Sequence, residues 1–158
     1  MDDAMKKQQA QKMYKIFCQA LDADDWKYKE KPDMTIESGA RGEDLPIDLL
    51  IKVKENLQVV TIFSPMGYKI PEDKRLDVAM GICVVNNKLV HGNFDFDFAT
   101  GSIIYRMVSS FNNFLLSQDI YKYMLYCTCQ TVDEYNDKFL MLGKGMLSLE
   151  DFIKAENE

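Results

Sequence analysis

The sequence predicts an α+β fold in which an antiparallel sheet of about five strands packs against flanking helices. Residues 45–54 alternate apolar and polar side chains with the two-residue period of a strand that has one solvated face. Residues 13–21 carry apolar side chains at the spacing of one helix face. Because the strands come in runs, antiparallel pairing is favoured over repeated parallel βαβ units. We expect the order α-β-β-β-α-β-β-α-α.

The first half of the chain supplies one helix and three strands. Asp3 is placed to cap a helix that ends near Asp22. The last two strands are joined by a junction short enough for a hairpin, so we expect them to be antiparallel neighbours. The three strand candidates are residues 27–38, 45–54 and 57–64.

A second helix is predicted after the third strand. Pro65 and Gly67 interrupt the strand pattern, and Pro71 suits the first turn of a helix. This helix ends near Asn86 and Asn87. Its inner face is predicted to consist of Leu76, Met80, Cys83 and Val84.

Two further strands surround a hairpin loop at Ala99–Gly101. The sequence leaves the register of this hairpin open. A four-residue loop would place Arg106 opposite Asp95, whereas a three-residue loop would misalign them. A long helix over about 118–141 and a short C-terminal helix over about 148–156 complete the prediction.

Composition limits the classes of function. The chain has 158 residues, of which 47% are hydrophobic, so we expect a single domain over 1–158 with its core over about 13–139. Its net charge of −6 opposes nucleic acids and anionic membrane surfaces as partners. The first twenty residues lack the apolar core of a signal peptide, and no later run approaches the ~20 apolar residues of a membrane span. We therefore expect a cytoplasmic protein.

The cysteines do not predict a metal site. Cys18, Cys83, Cys127 and Cys129 lie in segments with an apolar helical pattern, which indicates buried free thiols. The C-x-C pair at 127 and 129 would point apart on a helix. No second cysteine pair or histidine cluster is near in sequence to complete a tetrahedral zinc site. We expect no metal and no cofactor.

The segment 93–98 offers the strongest candidate for catalysis. Asp95 and Asp97 share one face of a predicted strand at roughly 6.6 Å, twice the rise per residue, which touches the ~6.5–9.5 Å range of inverting glycosidases. The rings that alternate with them are Phe94, Phe96 and Phe98. Burying three rings would contribute roughly 5 to 9 kcal/mol at about 1.5 to 3 each. We therefore expect the rings inside and the carboxylates in solvent, where nothing raises their pKa.

Residues 82–98, ICVVNNKLVHGNFDFDF, and the strand GSIIYRMV at 101–108 carry a resemblance to a known family. From about Met13 to Phe139 the chain resembles the YbjN family, whose domains have the fold of type III secretion chaperones. The residues that match the family pattern are Asn86, Gly92, Asp95, Gly101 and Arg106. The third helix is longer than the pattern. The resemblance implies a bacterial regulator of sensory transduction, or a chaperone-like protein that holds an extended client segment.

We therefore expect a non-catalytic protein-binding module, chaperone-like or a regulatory adaptor, that offers a sheet edge or an apolar groove to a protein or peptide segment. The alternative is a small hydrolase or ligand-binding enzyme that uses Asp95 and Asp97, with His91. It requires a closed pocket around both carboxylates. The partner's identity, and whether the chain forms a homodimer, are left open.

Overall fold

The computed structural model describes residues 2–158, which form four α-helices and six strands. The α+β class and the antiparallel arrangement are confirmed. The sheet has the strand order β1-β2-β3-β4-β6-β5. The elements are α1 (Asp3–Ala23), β1 (Tyr28–Lys31), β2 (Thr35–Arg41), β3 (Pro46–Lys54), β4 (Val59–Lys69), a 3₁₀ turn (Glu72–Lys74), α2 (Arg75–Asn86), β5 (Asn93–Asp97), β6 (Ser102–Ser110), α3 (Gln118–Gly143) and α4 (Leu149–Asn157).

The sheet has six strands because the segment predicted as one strand at 27–38 contains two. Asp33 and Met34 adopt positive φ angles of 58° and 50°, which reverse the chain. Lys31 consequently pairs with Thr35 across a tight turn. Sequence alternation alone does not distinguish a long strand from a hairpin whose turn carries few glycines.

The core lies on one face of the sheet, beneath the helices. Neighbouring strands place their buried side chains in continuous rows, since residues that face each other across antiparallel strands share a face. One such row crosses β2, β3, β4 and β6 and consists of Ile36, Ile51, Ile62 and Met107. Each side chain in this row is at most 6% exposed. Burial of this kind stabilises the fold by about 1.5–3 kcal/mol per side chain.

Helix α2 presents a different face to the core from the one predicted. Leu76 and Met80 are 64% and 47% exposed, and Cys83 is also exposed. The buried residues are Val78, Gly81, Ile82 and Val85. The helix is apolar around most of its circumference, so the sequence does not select a face. Its contacts with α3 and α4 do, because Gly81 lets Leu142 of α3 and Phe152 of α4 approach: an added Cβ would lie 3.0 and 3.3 Å from their side chains.

The other helices follow the predicted patterns with small changes. The N-cap of α1 is Asp2 rather than Asp3, and its Oδ1 accepts the Met5 N–H at 2.8 Å. Helix α4 begins as predicted, with the Ser148 Oγ accepting the Asp151 N–H at 3.1 Å. No helix among residues 2–158 combines the length and hydropathy needed to cross a bilayer.

The cysteines are free, as predicted, but they are not fully buried. Cys83 is exposed, whereas the other three are half-buried. Cys83 is exposed because α2 turns its other face inward. Burial and the nearby Glu30 carboxylate raise the pKa of Cys18 to about 11, which makes this thiol a poor nucleophile at neutral pH.

Candidate functional site

In the β5–β6 hairpin the two candidate carboxylates, Asp95 and Asp97, have different hydrogen-bond and ion-pair partners. Its loop has four residues, 98–101, and Asp97 pairs with Ser102. This register places Asn93, not Asp95, opposite Arg106. Arg106 reaches Asp95 diagonally, with its Nε 2.9 Å from the Asp95 Oδ2. The four-residue loop therefore does not set Arg106 opposite Asp95 as predicted, and the two form a diagonal ion pair instead. The pair is exposed, and such pairs contribute about 0–1 kcal/mol.

Asp97 organises the hairpin turn. Its Oδ2 accepts the Thr100 hydroxyl at 2.8 Å, and its Oδ1 accepts the N–H groups of Ala99 and Thr100 at 3.0 and 3.3 Å. The Thr100 hydroxyl, followed by these backbone bonds, holds the pKa of Asp97 below its usual range. A general acid needs a raised pKa at neutral pH. Asp97 is therefore suited to a structural role in the turn.

Only one of the three rings at 94–98 is fully buried. Phe94 is 2% exposed and packs edge-on against Tyr105 and Phe139, with centroid distances of 5.2 and 5.0 Å. Phe96 is half-buried and Phe98 is 56% exposed. The prediction that all three rings lie inside is wrong because Phe98 belongs to the loop, beyond the last paired residue, where strand alternation no longer applies.

His91 lies apart from a catalytic arrangement. Its ring is exposed and packs edge-on against Tyr123 of α3 at a centroid distance of 5.4 Å. Its carbonyl accepts the Tyr105 hydroxyl at 2.9 Å. Among residues 2–158, no group of three or more His, Cys, Asp or Glu side chains is arranged to hold a metal ion.

The β5 edge of the sheet is closed by α2. Asn86 at the end of α2 accepts the Phe94 N–H at its Oδ1 and donates its Nδ2 to the Phe94 carbonyl, both at 2.9 Å. Its side chain thus takes the two hydrogen bonds that an added strand would make at this residue. Arg75 donates to the carbonyls of Phe98 and Ala99 at 3.2 and 2.8 Å. A partner strand would find these backbone groups already paired.

The opposite edge, β1, is short and charged. It has the four residues Tyr28–Lys31, with the sequence YKEK. Lys31 forms an ion pair with Glu37 of β2 at 3.2 Å. Short edges that carry lysines are a known protection against unwanted strand pairing. Both outer edges of the sheet are therefore guarded, which disfavours the sheet-edge form of the binding hypothesis.

An apolar recess opens instead inside the molecule's own sheet, between β3, β4 and α3. We call it the β3–β4 cleft. Its volume is about 350 Å³. It is lined by Leu45 and by Pro46 and Asp48 of β3, by Pro65, Met66, Gly67 and Tyr68 of β4, and by Val132, Asn136, Leu140 and the adjoining Lys144 on the α3 side.

The cleft exists because the pairing of β3 with β4 stops early. The last pair is Leu50–Phe63, although β3 continues back to Pro46 and β4 continues to Lys69. In the same register the next hydrogen-bonding pair would be Asp48–Pro65. Proline has no N–H, so it cannot donate to the Asp48 carbonyl.

The alternation of the β3 ladder confirms the direction in which this carbonyl points. The Val53 N–H donates to the Met34 carbonyl at 3.1 Å, on the β2 side. Residues of an antiparallel strand direct their hydrogen-bonding groups alternately to either neighbour. Odd-numbered β3 residues therefore face β2, and Pro46 and Asp48 direct their carbonyls toward the cleft.

Beyond Pro65, β4 bends away from its neighbours. Its register against β6 shifts between Pro65, which pairs with Ile104, and Lys69, which pairs with Ser102. Two extra residues on β4 form a bulge, and bulges re-aim the chain locally. The bulge carries residues 66–68 over α3, where they form one wall of the cleft.

Asn136 of α3 lines the cleft and carries a buried side-chain donor without a partner. Its side chain belongs to a residue only 2% exposed, and its Nδ2 has no hydrogen-bond partner. Its Oδ1 accepts the Asp137 N–H at 2.7 Å, which fixes the orientation of the amide. A buried polar group without a partner destabilises a fold by about 1–3 kcal/mol, so this donor is a candidate contact for a ligand.

Tyr68 ties the β4 bulge to α3. Its hydroxyl donates to the backbone carbonyl of Asn136. Burial raises the pKa of Tyr68, so the phenol remains protonated and keeps donating across the physiological range. The wall formed by the bulge is therefore held against the helix that carries Asn136.

Two other exposed apolar surfaces lack such polar groups. One is on α2, where Leu76 and Met80 face solvent. The other is on the first turns of α3, where Tyr123 and Tyr126 are 51% and 59% exposed. Among residues 2–158, the unpaired buried polar side-chain atoms belong to Gln58, Ser64 and Asn136, and neither surface contains one of them.

The sequence pattern does not predict the cleft. Pro65 is predicted to interrupt a strand, whereas β4 continues past it to Lys69. A proline inside a strand pattern is a signal for an unpaired edge or a bulge, and it was the one available hint. The contribution of Asn136, 71 positions later in the chain, depends on how α3 packs against β4.

No protein-family model and no curated protein matches the sequence. The structure is similar to the crystal structure of YbjN from E. coli, a proposed transcription regulator, with a TM-score of 0.57 and 8% identity over 77% of this chain and 86% of that one. It is also similar to a chain of the HopA1–SchA chaperone–effector complex, with a TM-score of 0.51 and 10% identity over 78% of this chain and 91% of that one. The predicted YbjN-like and secretion-chaperone-like fold is confirmed. At these identities the likeness concerns the fold alone.

Proposed function

We propose that the chain is a non-catalytic protein-binding module, either chaperone-like or a regulatory adaptor. The observation that carries the proposal is the β3–β4 cleft, where an apolar recess of about 350 Å³ meets an unpaired buried amide and an unfinished strand ladder. Ligand sites commonly have volumes of about 300–1,000 Å³ and combine apolar walls with a few polar groups. The fold likeness to a chain of a chaperone–effector complex supports a protein as the ligand.

The small-hydrolase alternative lacks the environment that it needs. Asp95 is engaged by Arg106, and the carboxylate of Asp97 is held in its ionised form by the turn. Neither carboxyl lies in the cleft. An acid–base pair requires a site in which one carboxyl is enclosed and its pKa raised.

The finer parts of the proposal concern the setting in which the module works. We propose a single domain over 1–158 that acts in the cytoplasm, in keeping with the net charge of −6. The buried side chains form one continuous cluster from α1 to α4, which favours one folding unit. Sedimentation velocity across a range of concentrations would distinguish a monomer from a homodimer.

Site-specific photo-crosslinking tests the binding role. Gly67 lines the cleft, and a Cβ added there meets no atom within 4 Å, so a bulky photo-reactive residue fits without a clash. In cells that naturally produce the chain, we expect this probe to capture a distinct protein that mass spectrometry identifies. The matched control carries the same probe at Gln130, an exposed position of α3 outside the cleft.

The two positions must give different results if the proposal is correct. A protein captured at position 67 and absent at position 130 supports it. Identical background at both positions, across several growth conditions, would contradict a protein partner in the cleft.

A further inference from the structure

We propose that the β3–β4 cleft takes an extended segment of the partner protein, which hydrogen-bonds to the unpaired edge of β3 and places one apolar side chain in the recess. The inference rests on the proposed function, because it specifies how a protein partner binds. The structure supplies a backbone edge, a buried donor and an apolar volume, each matching one part of a peptide.

A ligand that pairs with the free edge of β3 must supply N–H donors. The carbonyls of Pro46 and Asp48 face the cleft, and they are two residues apart along β3. This spacing is about 6.6 Å, from twice the rise per residue of a strand. An extended segment presents N–H groups on one side with the same period. Helical segments use their N–H groups internally and cannot complete this edge.

The buried Asn136 amide donor is best matched by a neutral acceptor of the ligand. The Asn136 Nδ2 is unpaired, and its orientation is fixed by the bond from the Asp137 N–H. The Asp48 carboxylate and the negative end of the α3 dipole at Gly143 both disfavour an anion inside the recess. A peptide carbonyl satisfies the amide without bringing a charge into the recess.

The apolar volume calls for one large side chain. The apolar part of the wall is formed by Leu45, Met66, Val132 and Leu140. An engineered apolar cavity of about 150 Å³ in another protein holds benzene, so a recess of about 350 Å³ accommodates Leu, Met or Phe. The flexible Met66 side chain can adjust to different occupants.

Charges at the rim indicate the residues that flank this side chain. Lys144 is exposed and takes part in no ion pair among residues 2–158. It lies at the C-terminal end of α3 and lines the cleft. We expect an acidic residue beyond the apolar one, where it reaches Lys144 without entering the recess.

Selection of peptides against the whole chain tests the inference directly. The probe is a phage-displayed library of random twelve-residue peptides. We expect selected peptides to share a large apolar residue with an acidic residue nearby, and to shift the Asn136 side-chain NH₂ resonances in NMR spectra. N-methylation of the amides that pair with β3 should abolish binding while leaving the side chains unchanged.

A substitution that lets β3 and β4 pair over their full length tests the inference most directly. Pro65→Val supplies the N–H that the Asp48 carbonyl lacks, so β4 can occupy the edge itself. We expect at least a tenfold loss of peptide affinity with the fold retained or stabilised. Pro71→Val is the matched control, since Pro71 is exposed and outside the cleft, and it should bind as the unaltered chain does.

The outcomes separate this inference from the proposed function. If position 67 captures a partner whose contact segment is helical, or whose binding is unchanged in Pro65→Val, the inference is wrong and the binding role stands. If selection yields no peptide, or only peptides that leave Asn136 unshifted, the inference is also wrong. Self-association that Gly67→Trp abolishes would assign the cleft to a second copy of the chain and overturn it.

Discussion

Single hydrogen bonds decide the role of the acidic residues in the β5–β6 hairpin. The sequence places Asp95 and Asp97 on one strand face and leaves both catalysis and solvation open. In the structure, Asp95 binds Arg106, and Asp97 accepts three bonds from its own turn. The turn lowers the pKa of Asp97, the opposite of what a general acid requires, and Asp95 is engaged by Arg106.

The Thr100 hydroxyl makes the largest contribution to the lowered pKa of Asp97. In Thr100→Val we therefore expect that pKa to rise toward its usual value, as measured by NMR titration of the carboxyl carbon. Because the folded-state pKa lies below the unfolded one, this carboxylate stabilises the fold above the unfolded pKa and loses that effect as the pH falls through the folded pKa. The stabilities of variant and parent should converge in acid.

Ser102→Ala serves as the control for this titration. Ser102 faces Asp97 across the hairpin, and its Oγ lies 3.1 Å from the Thr100 hydroxyl, but its side chain makes no hydrogen bond to the Asp97 carboxylate. Its removal should leave the pKa of Asp97 unchanged. An unaltered Asp97 titration in Thr100→Val would show that the hydroxyl is not the cause.

At the scale of elements, α2 and β5 illustrate how a helix can close a sheet edge. Asn86 mimics a neighbouring strand by bonding both backbone groups of Phe94. Its position at the end of α2 brings it there only because the helix turns Val78, Ile82 and Val85 toward the core. Because this face of α2 is buried, Leu76 and Met80 on another face are exposed to solvent.

Asn86→Ala should destabilise the fold by about 1–3 kcal/mol, because the backbone N–H and carbonyl of the buried Phe94 lose their partner. Urea denaturation measures the change, and faster hydrogen exchange at the Phe94 amide should accompany it. Asn87→Ala is the control: Asn87 is exposed, and we expect its effect to stay within about 0.5 kcal/mol. Equal denaturation midpoints for the two variants would contradict this role.

At the scale of the whole molecule, an aromatic chain links the C-terminal helix to the sheet. Phe152 of α4 packs on Phe139 of α3 at 6.1 Å between centroids, and Phe139 packs on Phe94 of β5 at 5.0 Å. Glu156 of α4 also pairs with Lys88 and Lys138 at 3.5 and 3.3 Å. Helix α4 is therefore part of the core rather than an appendage.

Phe152→Ala should lower the free energy of unfolding of the whole chain by about 3–5 kcal/mol, the usual range for a buried Phe. Phe152 is 1% exposed and also contacts Gly81, so the cavity is bounded by three helices. Lys154→Ala, on the exposed side of α4, should have little effect. Loss of α4 structure without a shift of the global transition would show that α4 folds separately.

The sequence by itself determined the features that depend on local periodicity. These are the antiparallel α+β class, the positions of most helices and strands, the burial of Phe94 and the cap at Ser148. Each follows from side chains a few residues apart, whose preferences are set by backbone geometry and local hydrogen bonds.

The tertiary structure alone decided which face of α2 is buried, how the turn at 32–34 divides a strand, and where the β3–β4 cleft opens. The cleft joins Asp48, Pro65 and Asn136, which are distant in sequence and come together only when α3 packs across the end of the sheet. A carbonyl or amide is unpaired when no neighbouring element places a hydrogen-bond partner within reach. That depends on the arrangement of whole elements, which local patterns do not specify.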